Sequence, residues 1–183
     1  NEVLERTCGL RFNGNLKMRH LLDVIIEDVG LEKVAELVVN PIDFPVAGYY
    51  GAPMLKSGAN GDDDPHNPVY LEQLIAVLGG DAVEYDGRIR SVGFPALLSR
   101  EKTAMKMTAE VLSGAKMAGA RIMVSACPLS HFNLDVYQVH AGKVSNKDTS
   151  MPVIHLPELL AFALGFYVER FAQLRTRVLV IGG

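Results

Sequence analysis

Three short segments hold the residues whose types suit chemistry. They read Gly48-Tyr49-Tyr50-Gly51-Ala52-Pro53, Arg90-Ser91-Val92-Gly93-Phe94-Pro95 and Cys127-Pro128-Leu129-Ser130-His131-Phe132-Asn133-Leu134-Asp135. Cys127 is the strong nucleophile among them. It stands at a strand end, just before a helix start, where the helix dipole favours a thiolate. That makes it a candidate reactive thiol; the competing reading is a small buried cysteine that only packs. His131 is a candidate proton partner for Cys127, but no acidic orienter is evident, Asp135 being only four residues on; the competing reading is a loop histidine. Cys8 lies outside these segments and has no evident role.

Other candidates are weaker. Asp62-Asp63-Asp64 lacks the alternating ligands and closing Glu of a calcium loop, so it reads as a solvated loop. Gly58, Gly61, Gly79 and Gly80 spell neither a dinucleotide nor a P-loop fingerprint. Met105, Met107, Met117 and Met123 read as core filler. Of Tyr49 and Tyr50, strand alternation points one inward and leaves the other facing the loop. No metal site is expected.

The elements that must position these segments follow from periodicity. Leu22, Ile25, Ile26 and Val29 make one apolar helix face that stops near Gly30. A second short helix is expected over 31–38, and a strand from Val46 to Tyr50. Asn67-Pro68 reads as a cap and first helical position for a helix with Leu71, Leu74, Ile75 and Leu78 on one face, ended by Gly79-Gly80. A strand is expected at Ala82 to Tyr85, then a loop over 87–98. A long helix runs from Arg100 to Gly119, with Thr108, Val111, Leu112, Ala115 and Ala118 on one face. Strands follow at Arg121 to Ser125 and Val153 to His155, with a helix near Leu134 to Val139 and another from Pro157 to about Gly165. This alternation predicts an α/β domain: a mainly parallel sheet with helices on both faces. All three segments follow strands, so they should converge at the carboxyl edge of the sheet, where such folds place their sites.

These segments resemble those of the second cysteine-rich (CCG-type) domain in the family of heterodisulfide reductase B subunits. There they read Tyr-Tyr-Gly-Cys, Cys-Cys-Gly and Cys-Pro-Leu-Cys-His. In this chain 38 residues separate Ala52 from Ser91, 34 separate Val92 from Cys127, and two separate Cys127 from Ser130. These spacings are similar to the family's. The likeness extends over about residues 10–166, including Met18-Arg19-His20-Leu21-Leu22, Asp64-Pro65-His66-Asn67-Pro68 and Gly119-Ala120-Arg121.

The resemblance implies an oxidoreductase lineage. Paired domains of this kind hold iron–sulfur clusters that reduce a disulfide or move electrons within a multi-subunit complex. It also implies that Ala52, Ser91, Val92, Cys127 and Ser130 stand at the five cluster-ligand positions. Four of the five are no longer cysteine. Iron–sulfur clusters are held by soft thiolates; Ala52 and Val92 offer no donor, and Ser91 and Ser130 offer hard hydroxyls. The expected cofactor of this domain is therefore none, although the family's is an iron–sulfur cluster. The replacements are small or apolar and suit a site that was emptied while the fold was kept. The implied partners are the iron–sulfur and flavin subunits of a heterodisulfide-reductase-like complex. Two alternatives are an active oxidoreductase module with ligands from elsewhere, and a small-molecule binding domain that reuses the emptied pocket.

Composition agrees with one globular unit. Hydrophobic residues are 49% and charged residues 21%, enough apolar content to build a core. The net charge of −3, with no basic cluster, argues against a nucleic-acid partner. No run reaches the roughly 18–20 apolar residues of a membrane span. The start lacks a signal-peptide pattern, and two cysteines make no disulfide framework, so the cytoplasm is expected. Residues 1–183 read as one domain, with 1–9 an N-terminal arm and 167–183 a C-terminal extension. A face left uncovered in a fragment would favour homo-oligomers.

Overall fold

The computed structural model describes residues 1–15, 18–52, 54–55 and 61–166. Among the described residues, four parallel strands form one sheet in the order β2-β1-β3-β4. They are β1 (Pro45–Tyr49), β2 (Asp81–Ala82), β3 (Ile122–Ser125) and β4 (Val153–His155). β1 and β3 pair from Val46↔Ile122 to Tyr49↔Ser125, and β3 pairs with β4 from Met123↔Val153 to Ser125↔His155. The carboxyl ends of β1, β3 and β4 therefore lie level, as the sequence predicts.

Alternation along the strands splits the core in two. Val46, Ile122, Val124 and Ile154 face one layer, packed by Leu22 of α2 (Leu21–Asp23), Val34 of α3 (Leu31–Leu37), Leu71, Leu74 and Ile75 of α4 (Tyr70–Val77), and Leu159 of α8 (Leu156–Ala163). Helix α2 runs on into a π-helical stretch, Val24–Val29, that ends at Gly30. Ala47, Tyr49, Met123 and Val153 face the other layer, against Val111, Leu112 and Ala115 of α5 (Glu101–Met117) and Leu134 of α6 (Pro128–Val136). A smaller cluster joins Ala104, Met105 and Ala109 of α5 to Ala141 of α7 (Gln138–Ser145). Each fully buried Leu, Ile or Val contributes about 1.5–3 kcal/mol, so these two layers supply most of the stabilisation. Gly48 lies where α4 crosses the sheet; a β-carbon there would stand 3.1 Å from the Leu71 side chain, closer than packed groups sit.

Several expectations are corrected. Helix α4 starts at Tyr70, not Pro68. Its first amides are capped by Asp63, whose carboxylate accepts from Val69 N–H and Tyr70 N–H; Asn67 instead accepts from Arg88. Asp63 is thus buried rather than solvated. Strand β2 is only two residues long, and 86–89 and 94–96 are 3-10 turns. Helix α6 begins directly after Cys127 rather than near Leu134. Tyr49 and Tyr50 alternate into opposite core layers as expected, but both are fully buried, because helices cover both faces of the sheet. Met105 and Met123 are core residues, but Met117 is 83% exposed at the end of α5, and Ala118 is exposed beyond it.

The N-terminal stretch forms α1 (Glu2–Cys8), which buries none of its residues. Residues 167–183 lie outside the described residues. Among the described residues, no helix is long and apolar enough to cross a membrane.

Candidate functional site

The three segments do converge at the carboxyl edge of β1 and β3. The turn after β1 lies against the turn after β3: Ala126 N–H donates to the Tyr49 carbonyl at 2.9 Å. Gly51 has φ +89°, and a β-carbon on it would overlap the Cys127 Cβ, 3.1 Å from Cys127 Sγ and 3.3 Å from Ser130 Oγ. Only glycine fits so close in this left-handed conformation. The Tyr49 hydroxyl donates to the Arg90 carbonyl at 2.8 Å, and Tyr50 N–H donates to the Arg88 carbonyl at 3.0 Å.

The five positions that the sequence resemblance marks are treated unequally. Cys127 and Ser130 are buried and share the contact with Gly51. Val92 is 1% exposed and packs into the same core layer as Tyr49 and Leu134. Ala52 and Ser91 are exposed. The Ser91 hydroxyl is engaged locally, accepting from Gly93 N–H at 3.1 Å. His131 is half-buried on the first turns of α6; its ring packs edge-on against His155, at the end of β4, with centroids 5.5 Å apart.

Three side chains that residue type and spacing do not mark as functional help to build the site. Thr108 Oγ1 of α5 and Asn133 Nδ2 of α6 both donate to the Val92 carbonyl, each at 3.0 Å. The signal for Thr108 is a hydroxyl on an otherwise apolar face; Asn133 lies one helical turn beyond Ser130. His20 caps α2: its Nδ1 accepts from Leu22 N–H, so Nε2 carries the proton it donates to the Ala126 carbonyl at 3.0 Å. Beside these, Tyr50 donates to Glu72 at 2.5 Å, and Arg88 donates to Glu72, the Pro68 carbonyl and Asn67. This network fixes the 86–92 loop on α4.

Burial governs the electrostatics. The Tyr49 phenol is pushed up to about 12 by burial, while hydrogen bonding with the Ser130 side chain and the Val92 backbone pulls the other way. Tyr50 and Tyr85 are also raised by burial, and all three phenols stay neutral at ordinary pH. Burial raises Glu72 above the usual carboxylate range, against the opposing pull of Tyr50 and Arg88.

Among the described residues, no group of three or more His, Cys, Asp or Glu is placed to hold a metal. Asn133 Oδ1, fully buried beside Val92, has no hydrogen-bond partner among the described residues. It is a hard oxygen acceptor that suits an N–H or O–H donor, not iron–sulfur chemistry.

No protein-family profile matches the chain. Individual relatives do. A protein of Archaeoglobus profundus described as like the B subunit of heterodisulfide reductase is 33% identical over 178 residues, 94% of this chain and 59% of that protein. The 8-methylmenaquinol:fumarate reductase membrane anchor subunit of Wolinella succinogenes is 32% identical, over 86% of this chain and 55% of its own. The B subunit of the ferredoxin:CoB-CoM heterodisulfide reductase of Methanosarcina mazei is 29% identical, over 88% of this chain and 55% of its own. A crystal structure of a hypothetical protein from Helicobacter pylori superposes with a TM-score of 0.62 at 16% identity, covering 83% of this chain and 28% of that one, which shows the shared fold. The chain is thus a distant homologue, at 27–33% identity, of the heterodisulfide reductase B subunits and the fumarate reductase anchor subunit, and it spans about half the length of those relatives.

Proposed function

We propose that this domain belongs to a protein like the heterodisulfide reductase B subunits and serves the assembly of a redox complex, not electron transfer through a cluster of its own. The observation that carries this reading is the make-up of the converged loops. At the five family positions Cys127 is the single thiol, Val92 fills core space, and Ser130 offers a hydroxyl. One thiolate does not anchor an iron–sulfur cluster. The relatives are subunits by name, which supports a role among partners. In this reading the disulfide chemistry or electron transfer runs on cysteines of other iron–sulfur and flavin subunits, and Cys127 and His131 are remnants of the site.

The test is iron and acid-labile sulfide on protein purified without oxygen, with a visible absorption spectrum, alongside affinity purification from the native cell. Negligible iron and sulfide in a folded protein that brings down iron–sulfur and flavin subunits is the expected outcome. Stoichiometric iron and sulfide would restore the reading as an active oxidoreductase module. Absent iron with no such partners would point to a small-molecule binding domain.

A further inference from the structure

In a cluster-bearing site, the metal bonds loops from different strands to one another. Here this chain's own atoms make those connections. The Val92 carbonyl accepts from Asn133 of α6 and Thr108 of α5, both fully buried, so both of its lone pairs are used. This joins the second segment to the third and to α5. The Tyr49 hydroxyl joins the first segment to the second through the Arg90 carbonyl. Gly51, packed on Cys127 and Ser130, joins the first to the third. His20 adds a fourth tie, from ahead of the sheet to the Ala126 carbonyl.

We infer that Asn133, Thr108 and Tyr49 form a cofactor-free clasp that holds the three loops in the positions a cluster would otherwise maintain. The inference concerns the same loops as the proposed function and deepens it. It explains how a site with one thiol keeps its shape. A buried hydrogen bond contributes most where its loss leaves a partner unsatisfied, and the Val92 carbonyl sits in such a place.

The experiment is hydrogen exchange on the full chain, read on peptides spanning 86–95 and 156–163. It compares wild type, Asn133→Ala and Thr108→Val, each before and after treatment with an iron chelator. The clasp predicts that wild-type exchange over 86–95 is unchanged by the chelator. It predicts roughly 5-fold faster exchange there in each variant, the factor that corresponds to a hydrogen bond of about 1 kcal/mol, with 156–163 unaffected. Variants that exchange like wild type over 86–95 overturn the clasp. If Asn133→Ala does not fold, Thr108→Val, which keeps the side-chain size, and Tyr49→Phe decide by the same readout. The iron result separates the two ideas. Bound iron whose removal opens the loops overturns both the clasp and the proposed function. Bound iron whose removal leaves them closed overturns the proposed function and supports the clasp. No iron with silent variants overturns the clasp alone.

Discussion

Gly51 rests directly on Cys127: its backbone approaches so closely that any side chain would occupy the space of the Cys127 Cβ. The contact joins the turn after β1 to the start of α6, and it rests on Cys127.

Gly51→Ala is therefore expected to be strongly destabilising. The new methyl must displace Cys127, and φ +89° is unfavourable for an L-residue. The combined strain and overpacking come to about 2–4 kcal/mol. Urea unfolding of the variant checks this; a midpoint matching wild type would mean the two loops do not meet.

Tyr49→Phe should lose the bond to the Arg90 carbonyl and cost about 1 kcal/mol. The pH dependence has a definite sign. An unfolded tyrosine ionises near 10, whereas Tyr49 in the fold does so at about 12. Its raised value gives stability that is whole below pH 10 and is lost as the pH rises from 10 through 12. Denaturation at alkaline pH should show a shallower fall for Tyr49→Phe than for wild type.

Asp63→Ala should remove the cap of α4, because the carboxylate satisfies both Val69 N–H and Tyr70 N–H. A loss of about 1–2 kcal/mol is expected, measured by thermal unfolding. Asn67→Ala should cost less, since Asn67 meets Arg88 and not the helix.

Arg88→Leu should cost about 3 kcal/mol, because it leaves the largely buried Glu72 without its cation. Glu72→Gln tests the electrostatics separately. Burial raises Glu72 above its ordinary range, so its contribution is whole at low pH and declines as pH rises through the raised value. The stability profile of Glu72→Gln should lack that decline.

Much of the scaffold is legible in the sequence because it follows from local pattern. Leu71, Leu74, Ile75 and Leu78 mark one helix face, and all four are buried. Val153 to His155 forms the strand expected of it. The start of α4 is hidden because a cap can come from a residue outside the helix's immediate flank: Asp63 reaches Val69 and Tyr70 across a turn. The start of α6 is hidden because its apolar pattern is weak at Leu129 and Phe132, which remain exposed. Pro128 at the first helical position is the signal that marks it.

The sequence by itself determined the alternation of strands and helices, the convergence of three loops at one sheet edge, and the residue types at the five positions that the resemblance marks. These depend on periodicity, turn residues and spacing, which are local properties of the chain. Only the tertiary structure decided that Gly51 abuts Cys127, that the Val92 carbonyl is shared by Thr108 and Asn133, and that Tyr49 and Tyr50 are both buried. Those relationships join residues far apart in the chain, and they exist only once both faces of the sheet have been covered by packed helices.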